Sequence, residues 1–190
     1  MARGRNSAKG EAMKELKLVV PRPEELWFRQ RMMSDPATMS YNANGGAGLD
    51  GYHRETGCID FPEEKWAGWY ARWIGNEPER FYAYIKRGSD GAWIGEVCFY
   101  SVPERDWWDA GIVIDARYRK NGYAVAALRL LLAHAFQDCG VSRLHNHFET
   151  DRPAALQIHR AVGFRETGVE DGIRHVMLTR EEYLRGGNAV

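Results

Sequence analysis

The 190-residue chain has 26 basic and 26 acidic residues, so it carries no net charge and no global field that would gather nucleic acid or an anionic membrane. Its length suits one domain that buries about 70% of its unfolded surface, and no apolar run approaches the roughly 20 residues of a membrane helix. Cys58, Cys98 and Cys139, an odd number without close pairing, fit free thiols in a reducing compartment such as the cytoplasm.

Residues 1–12 lack the apolar stretch of a secretory signal and read as a disordered tail, with Met13 an alternative start, which leaves residues 13–190 as the single domain. Leu16 to Val20 is strand-like. Pro21 and Pro23 end it before a helix from about Glu24 that carries Leu26, Trp27 and Met33, and Asp35-Pro36 breaks that helix. From Tyr41 to Gly57 the chain is rich in Gly and Asn (Asn42, Asn44, Gly45, Gly46, Gly48, Gly51) and shows no apolar period. It reads as a mobile loop of the length used for lids. Asp60-x-x-Glu63 suggests a capping box for a helix with Trp66, Trp69, Tyr70 and Trp73 at helical spacing, aromatics suited to a core or a substrate wall.

Phe81 to Ile85 and Trp93 to Tyr100 are β-rich runs around Gly88-Ser-Asp-Gly91, a hairpin, with Ala110 to Ile114 pairing next to it. Apolar residues then recur at Ala124, Ala127, Leu128, Leu131, Leu132, Ala135 and Phe136, one buried helix face. A strand from Arg143 to Glu149, a helix from Pro153 to Val162 and a hairpin turning at Glu170-Asp-Gly172 complete the order.

The junction Ile112-Val-Ile-Asp-Ala-Arg-Tyr-Arg119-Lys120-Asn121-Gly122-Tyr123-Ala124 runs a strand through a glycine turn into the long helix. First-turn N–H groups lack intrahelical partners and sit at the positive end of the dipole, so an anion is well received there. Gly122 lets the backbone approach a phosphate, Ala124 keeps the helix start uncrowded, and Arg119 and Lys120 add mobile positive charge. Neither a P-loop nor a dinucleotide-binding glycine motif is present.

Arg119-x-x-Gly122-x-Ala124 resembles the acetyl-CoA signature of the GNAT superfamily of N-acetyltransferases. The segment Asp151-Arg152-Pro-Ala-Ala155-Leu-Gln-Ile158-His159-Arg-Ala-Val162-Gly163-Phe164 is similar to the family's second cofactor motif, with Arg152 where many members carry Asn, Ala155 at the small position and His159 where they carry Tyr. The resemblance covers residues 80 to 180 well and the N-terminal part in outline. It implies a three-layer α+β fold, with a mixed, mostly antiparallel sheet between helices on both faces. It implies that Ile112, Val113 and Ile114 lie where two central strands splay to pair with pantetheine, that acetyl-CoA is the co-substrate, and that a homodimer is in keeping with the family.

Acetyl transfer to an amine needs a neutral nucleophile, donors for the oxyanion and a proton for the thiolate. With a pKa near 10.4, about one amine in a few thousand is neutral at pH 7, a deficit of roughly 4–5 kcal/mol that a carboxylate base or a desolvating pocket offsets. Glu96, on the strand before the cofactor strand, is the first expectation for the base, with Asp109 and Glu149 in reserve. His159, at the family's Tyr position, is the expected acid. Acidic Glu104, Asp106, Asp109, Glu170 and Asp171 near loop ends suit a cationic acceptor such as a polyamine, an aminoglycoside or a protein amino group.

His145, His147 and Glu149 alternate on one strand and share a face, a set able to ligate zinc. No metal signature surrounds them, and strand histidines usually serve packing, so no metal is expected. A CoA-binding protein without chemistry is the other alternative. Trp107 and Trp108 are the sole support for a nucleic-acid or partner-binding module, which the neutral charge opposes.

Overall fold

Alternation along the runs 81–85 and 97–99 sends Phe81, Ala83, Ile85, Val97 and Phe99 to one buried face and Tyr82, Tyr84 and Cys98 to the other, so both faces are covered. The computed structural model describes residues 15–45 and 50–186; the expected tail at 1–12, and Gly46 and Gly48 of the expected loop, lie outside them. Among the described residues seven strands, β1 (Leu16–Val19), β2 (Arg80–Arg87), β3 (Trp93–Val102), β4 (Trp107–Ile114), β5 (Arg143–Glu149), β6 (Arg165–Glu170) and β7 (Ile173–Thr179), form one sheet in the order β1-β2-β3-β4-β5-β7-β6. Every neighbouring pair is antiparallel except β4 and β5. The expected mixed sheet between helices is therefore the observed one.

On one face, Phe81, Ala83, Ile85, Val97, Phe99, Leu144, Phe148, Val176 and Leu178 pack under α4 (Tyr123–Ala133) and α5 (Pro153–Arg160). Ala127, Leu128, Leu131 and Leu132 are buried, as the helical period requires, and a wider turn over His134–Asp138 carries Ala135 and Phe136 into the same core. On the other face, Tyr82 and Tyr84 meet Leu26, Phe28, Met32, Met33 and Met39 from α1 (Trp27–Met33) and the short α2 (Pro36–Met39). The tryptophans of α3 (Trp66–Trp73) close that second core, with Trp69 edge-on to Tyr82 at 4.6 Å. The C-terminal α6 (Arg180–Arg185) carries a capping box between Thr179 and Glu182.

The capping box expected at Asp60-x-x-Glu63 does not form. Pro62 is the N-cap, because a residue before proline is pushed out of the helical region, so the turn begins at Glu63. Asp60 instead accepts from His53 at 2.9 Å. In the Gly-rich segment the described part is tied down: Tyr52 donates to the Asn42 carbonyl at 2.6 Å and Asn42 to that of Gly57 at 3.0 Å.

Candidate active site

The parallel pair β4 and β5 is joined at only two positions, Trp108 to Leu144 and Asp109 to His145. Beyond them the strands part, and the sheet forks. Ile112, Val113 and Ile114 pair with Val97, Glu96 and Gly95 of β3 on one edge, and among the described residues their β5-facing edge has no ladder partner. The contact with β3 is tight enough to demand glycine: a Cβ on Gly95 would lie 2.3 Å from the Val113 carbonyl oxygen.

At the end of β4, Asp115 accepts from the Arg117 N–H and opens a single tight turn over Ala116–Tyr118. Burial pushes the Asp115 carboxyl up, but hydrogen bonds from Arg117 and Arg31 outweigh it and hold the group below its ordinary value. Lys120 and Gly122 then take positive φ, 63° and 77°, which reverses the chain so that α4 starts at Tyr123 with its first N–H groups at the mouth of the fork. Asn121 donates to the carbonyls of Tyr118 and Arg119 and braces the turn. Tyr123 is buried, Ala124 packs on the core, and Lys120 is exposed.

Arg119 departs from the mobile charge expected of it. Its guanidinium donates to the carbonyls of Ile114, Ala37 and Thr38, while the Ala116 N–H donates to the Thr38 hydroxyl at 3.0 Å. These bonds latch the segment 37–38 to the end of β4. On the far side Arg152, N-cap of α5, lies over the Tyr41 ring at 5.6 Å and pairs with Glu149 at 2.8 Å. Residues 37–41 thus bridge the two limbs of the fork. Under the bridge a cavity of about 440 Å³ is lined by Ser40, Tyr41, Asn44, Glu149, Asp151 and Arg152. No motif in the sequence flags Tyr41 or Thr38, because their positions depend on contacts across more than seventy residues.

Glu96 and His159 lie on opposite faces of the sheet. Glu96 is 7% exposed, pairs with Arg29 at 2.5 Å and accepts from the Tyr82 hydroxyl; the Arg29 guanidinium in turn sits 4.8 Å over Trp69. His159 is 3% exposed. Its Nδ1–H donates to the Ala155 carbonyl at 2.8 Å, and its Nε2 accepts from the Asn146 amide at 2.9 Å. The orientation of Asn146 is set by its own oxygen, which accepts from the His147 N–H. A protonated Nε2 would face an amide that only donates. Burial accordingly pushes the His159 imidazole down, against a smaller upward pull from the Ala155 carbonyl. The group expected as an acid is held as a neutral core histidine.

Glu149 turns to Arg152, away from the trio expected with His145 and His147. Its place beside them is taken by Asp109, whose Oδ1 accepts from His145 Nδ1 at 2.6 Å. Trp107 stacks on His145 at 4.4 Å and Trp108 donates to the Pro78 carbonyl, so neither tryptophan is a free aromatic surface. The three cysteines are free thiols, and no described helix is long and apolar enough to cross a membrane.

A family model described as an acetyltransferase (GNAT) domain matches residues 16–165. No curated protein matches the chain in sequence. Among solved structures, a spermidine N-acetyltransferase from Vibrio cholerae in complex with CoA and spermine is similar over 89% of this chain and 98% of its own, with TM-score 0.70 and 16% identity. A GNAT-family acetyltransferase from Bacillus anthracis is similar over 89% and 97%, with TM-score 0.66 and 14% identity. At such identities the likeness is one of fold.

Proposed function

This chain belongs to the GNAT family of acetyl-CoA-dependent N-acetyltransferases, and on that premise we propose that it acetylates a cationic primary amine held in the cavity at the mouth of the β4–β5 fork. The observation that carries the reading is the forked sheet, with a helix N-terminus at one limb and an acid-lined cavity at the other. The α4 N-terminus and exposed Lys120 receive the diphosphate of acetyl-CoA. The open edge of Ile112, Val113 and Ile114 pairs with the pantetheine amides, and Ala155 leaves room beside it. Arg119 shapes the cradle by holding residues 37–38, and Arg152 bounds it from the opposite limb.

Magnitudes decide which carboxylate takes the proton. Releasing Glu96 from Arg29 would leave a buried charge unpaired, at about 3–5 kcal/mol. The Glu149–Arg152 pair is partly exposed, and such pairs are worth about 0–1 kcal/mol. An incoming ammonium therefore displaces Arg152 far more readily than Arg29. Glu149, with Asp151 beside it, is the base we assign, acting directly or through one water, while Glu96 holds Arg29 and Tyr82 in place. The neutral amine attacks the thioester carbonyl, and the departing thiolate takes a proton from the Tyr41 hydroxyl, which lines the same cavity and is pushed up to about 12 by burial; Glu149, carrying the amine's proton, returns it to the Tyr41 oxygen. Polyamines are the first acceptors to try, given a structural neighbour that binds spermine.

Calorimetric titration with acetyl-CoA, paired with thiol release across a panel of amines, tests the reading. Micromolar binding with thiol release is expected. Glu149→Gln should lower kcat/KM by about 10²-fold, and Tyr41→Phe should lower kcat by about tenfold or more with acetyl-CoA affinity kept. If Glu96→Gln abolishes turnover in a folded protein while Glu149→Gln is silent, the base returns to Glu96. Binding without release to any amine would instead leave a CoA-binding protein without chemistry.

A further inference from the structure

Three histidines and an aspartate converge at the vertex of the fork, on the sheet face opposite α4. His145 and His147 stand two residues apart on β5 and so point to the same side. Asp109 on β4 is the register partner of His145, and His175 on β7 is the register partner of His147. One donor atom each from Asp109, His145 and His147 lies within 4.8 Å of the other two. The Nε2 of His145 is 2.9 Å from Nδ1 of His175, and the three imidazole centroids lie 5.2, 5.7 and 6.0 Å apart.

We propose that Asp109, His145 and His147 form a binding site for a divalent transition metal ion, zinc by ligand chemistry, with His175 as the outer hydrogen-bond partner of His145. Two imidazoles and a carboxylate are a donor set that Zn²⁺ accepts, leaving a fourth position for water. Ligands about 2 Å from a tetrahedral ion lie about 3.3 Å from one another, so the 2.6 Å contact between Asp109 Oδ1 and His145 Nδ1 has only to open by a fraction of an ångström. The ion takes the place of the proton between them. That proton moves to His145 Nε2, which then donates to His175 Nδ1, the outer-sphere hydrogen bond that fixes ring orientation in metal sites. All four side chains come from three adjacent strands, a rigid frame, and the ion would tie β4 to β5 at the point where their backbone ladder ends.

A second group, Glu77, His134 and Cys139, also gathers three donors, so a Cys139→Ser variant separates binding there from binding at Asp109, His145 and His147. Tag-free protein is stripped with a chelator and titrated with Zn²⁺ against a chromophoric chelator, with circular dichroism of each variant as the folding check. One equivalent of Zn²⁺ is expected, together with a rise in Tm on loading. His147 is exposed, so His147→Ala should fold normally and weaken binding more than tenfold. Asp109→Asn should act likewise, His175→Ala should cost roughly 10–100-fold, and Cys139→Ser should change nothing. Absence of stoichiometric binding overturns the proposal, as does an affinity that His147→Ala and Asp109→Asn leave unmoved or that Cys139→Ser abolishes.

Discussion

His159 shows how a single side chain is recast by its partners. The family resemblance implies a place for it beside the cofactor sulfur, yet the Ala155 carbonyl and the Asn146 amide occupy both ring nitrogens and hold the neutral tautomer. Its pKa in the fold is below the unfolded value of about 6.5, so the unfolded chain binds the proton first. The stabilisation from the neutral ring is therefore full above pH 6.5 and is lost as pH falls through the folded value. Denaturant midpoints measured from pH 8 down to pH 5 should fall for the native chain, and His159→Gln should flatten part of that fall. An unchanged slope would show that His159 titrates as it does in water. Glu96 makes the complementary point. Its position on β3 is legible in the sequence, but the Arg29 that occupies it lies 67 residues away and no spacing announces the pair.

At the scale of elements, the fork depends on how closely β3 approaches β4. Gly95 permits that approach, since a Cβ there meets the Val113 carbonyl, an atom of backbone that cannot turn aside. Gly95→Ala should destabilise the fold by about 1–3 kcal/mol and also weaken acetyl-CoA binding, because it displaces the stretch of β4 whose edge we propose as the pantetheine partner. Gly168→Ala on β6, where nothing lies within 4 Å of the added atom, is the control and should stay within about 0.5 kcal/mol. Urea unfolding and calorimetry on the two variants check both parts; equal stabilities would mean that β4 tolerates the push. Strand and helix positions were readable from period and turn chemistry: the hairpin at Gly88–Gly91, β5 at Arg143–Glu149 and the buried stripe of α4 all stand where expected. The start of α3 was not, because Pro62 outranks the Asp60–Glu63 spacing.

For the molecule as a whole, the N-terminal helices and the turn between β4 and α4 are joined through Arg119, whose fork of donors spans the nearby Ile114 carbonyl and the distant carbonyls of Ala37 and Thr38. Arg119→Ala should free residues 37–41 from the end of β4 and raise the KM for the amine more than the Kd for acetyl-CoA. Arg119→Lys should not rescue it, since a compact ammonium cannot reach all three oxygens. Steady-state kinetics together with hydrogen exchange over residues 36–42 reads this directly. Unchanged exchange in Arg119→Ala would remove the latch from the account.

The amino-acid sequence alone determined the family resemblance, the glycine turn from β4 into α4 and the mixed sheet, because each rests on local periodicity or on residues a few positions apart. Tertiary structure alone decided that Glu96 is held by Arg29, that Glu149 lines a cavity with Tyr41, and that Asp109 stands beside His145 in place of Glu149. These are contacts between strands and helices remote in sequence. Their partners are chosen by strand register and by which face each element buries, quantities that exist only once the sheet has assembled.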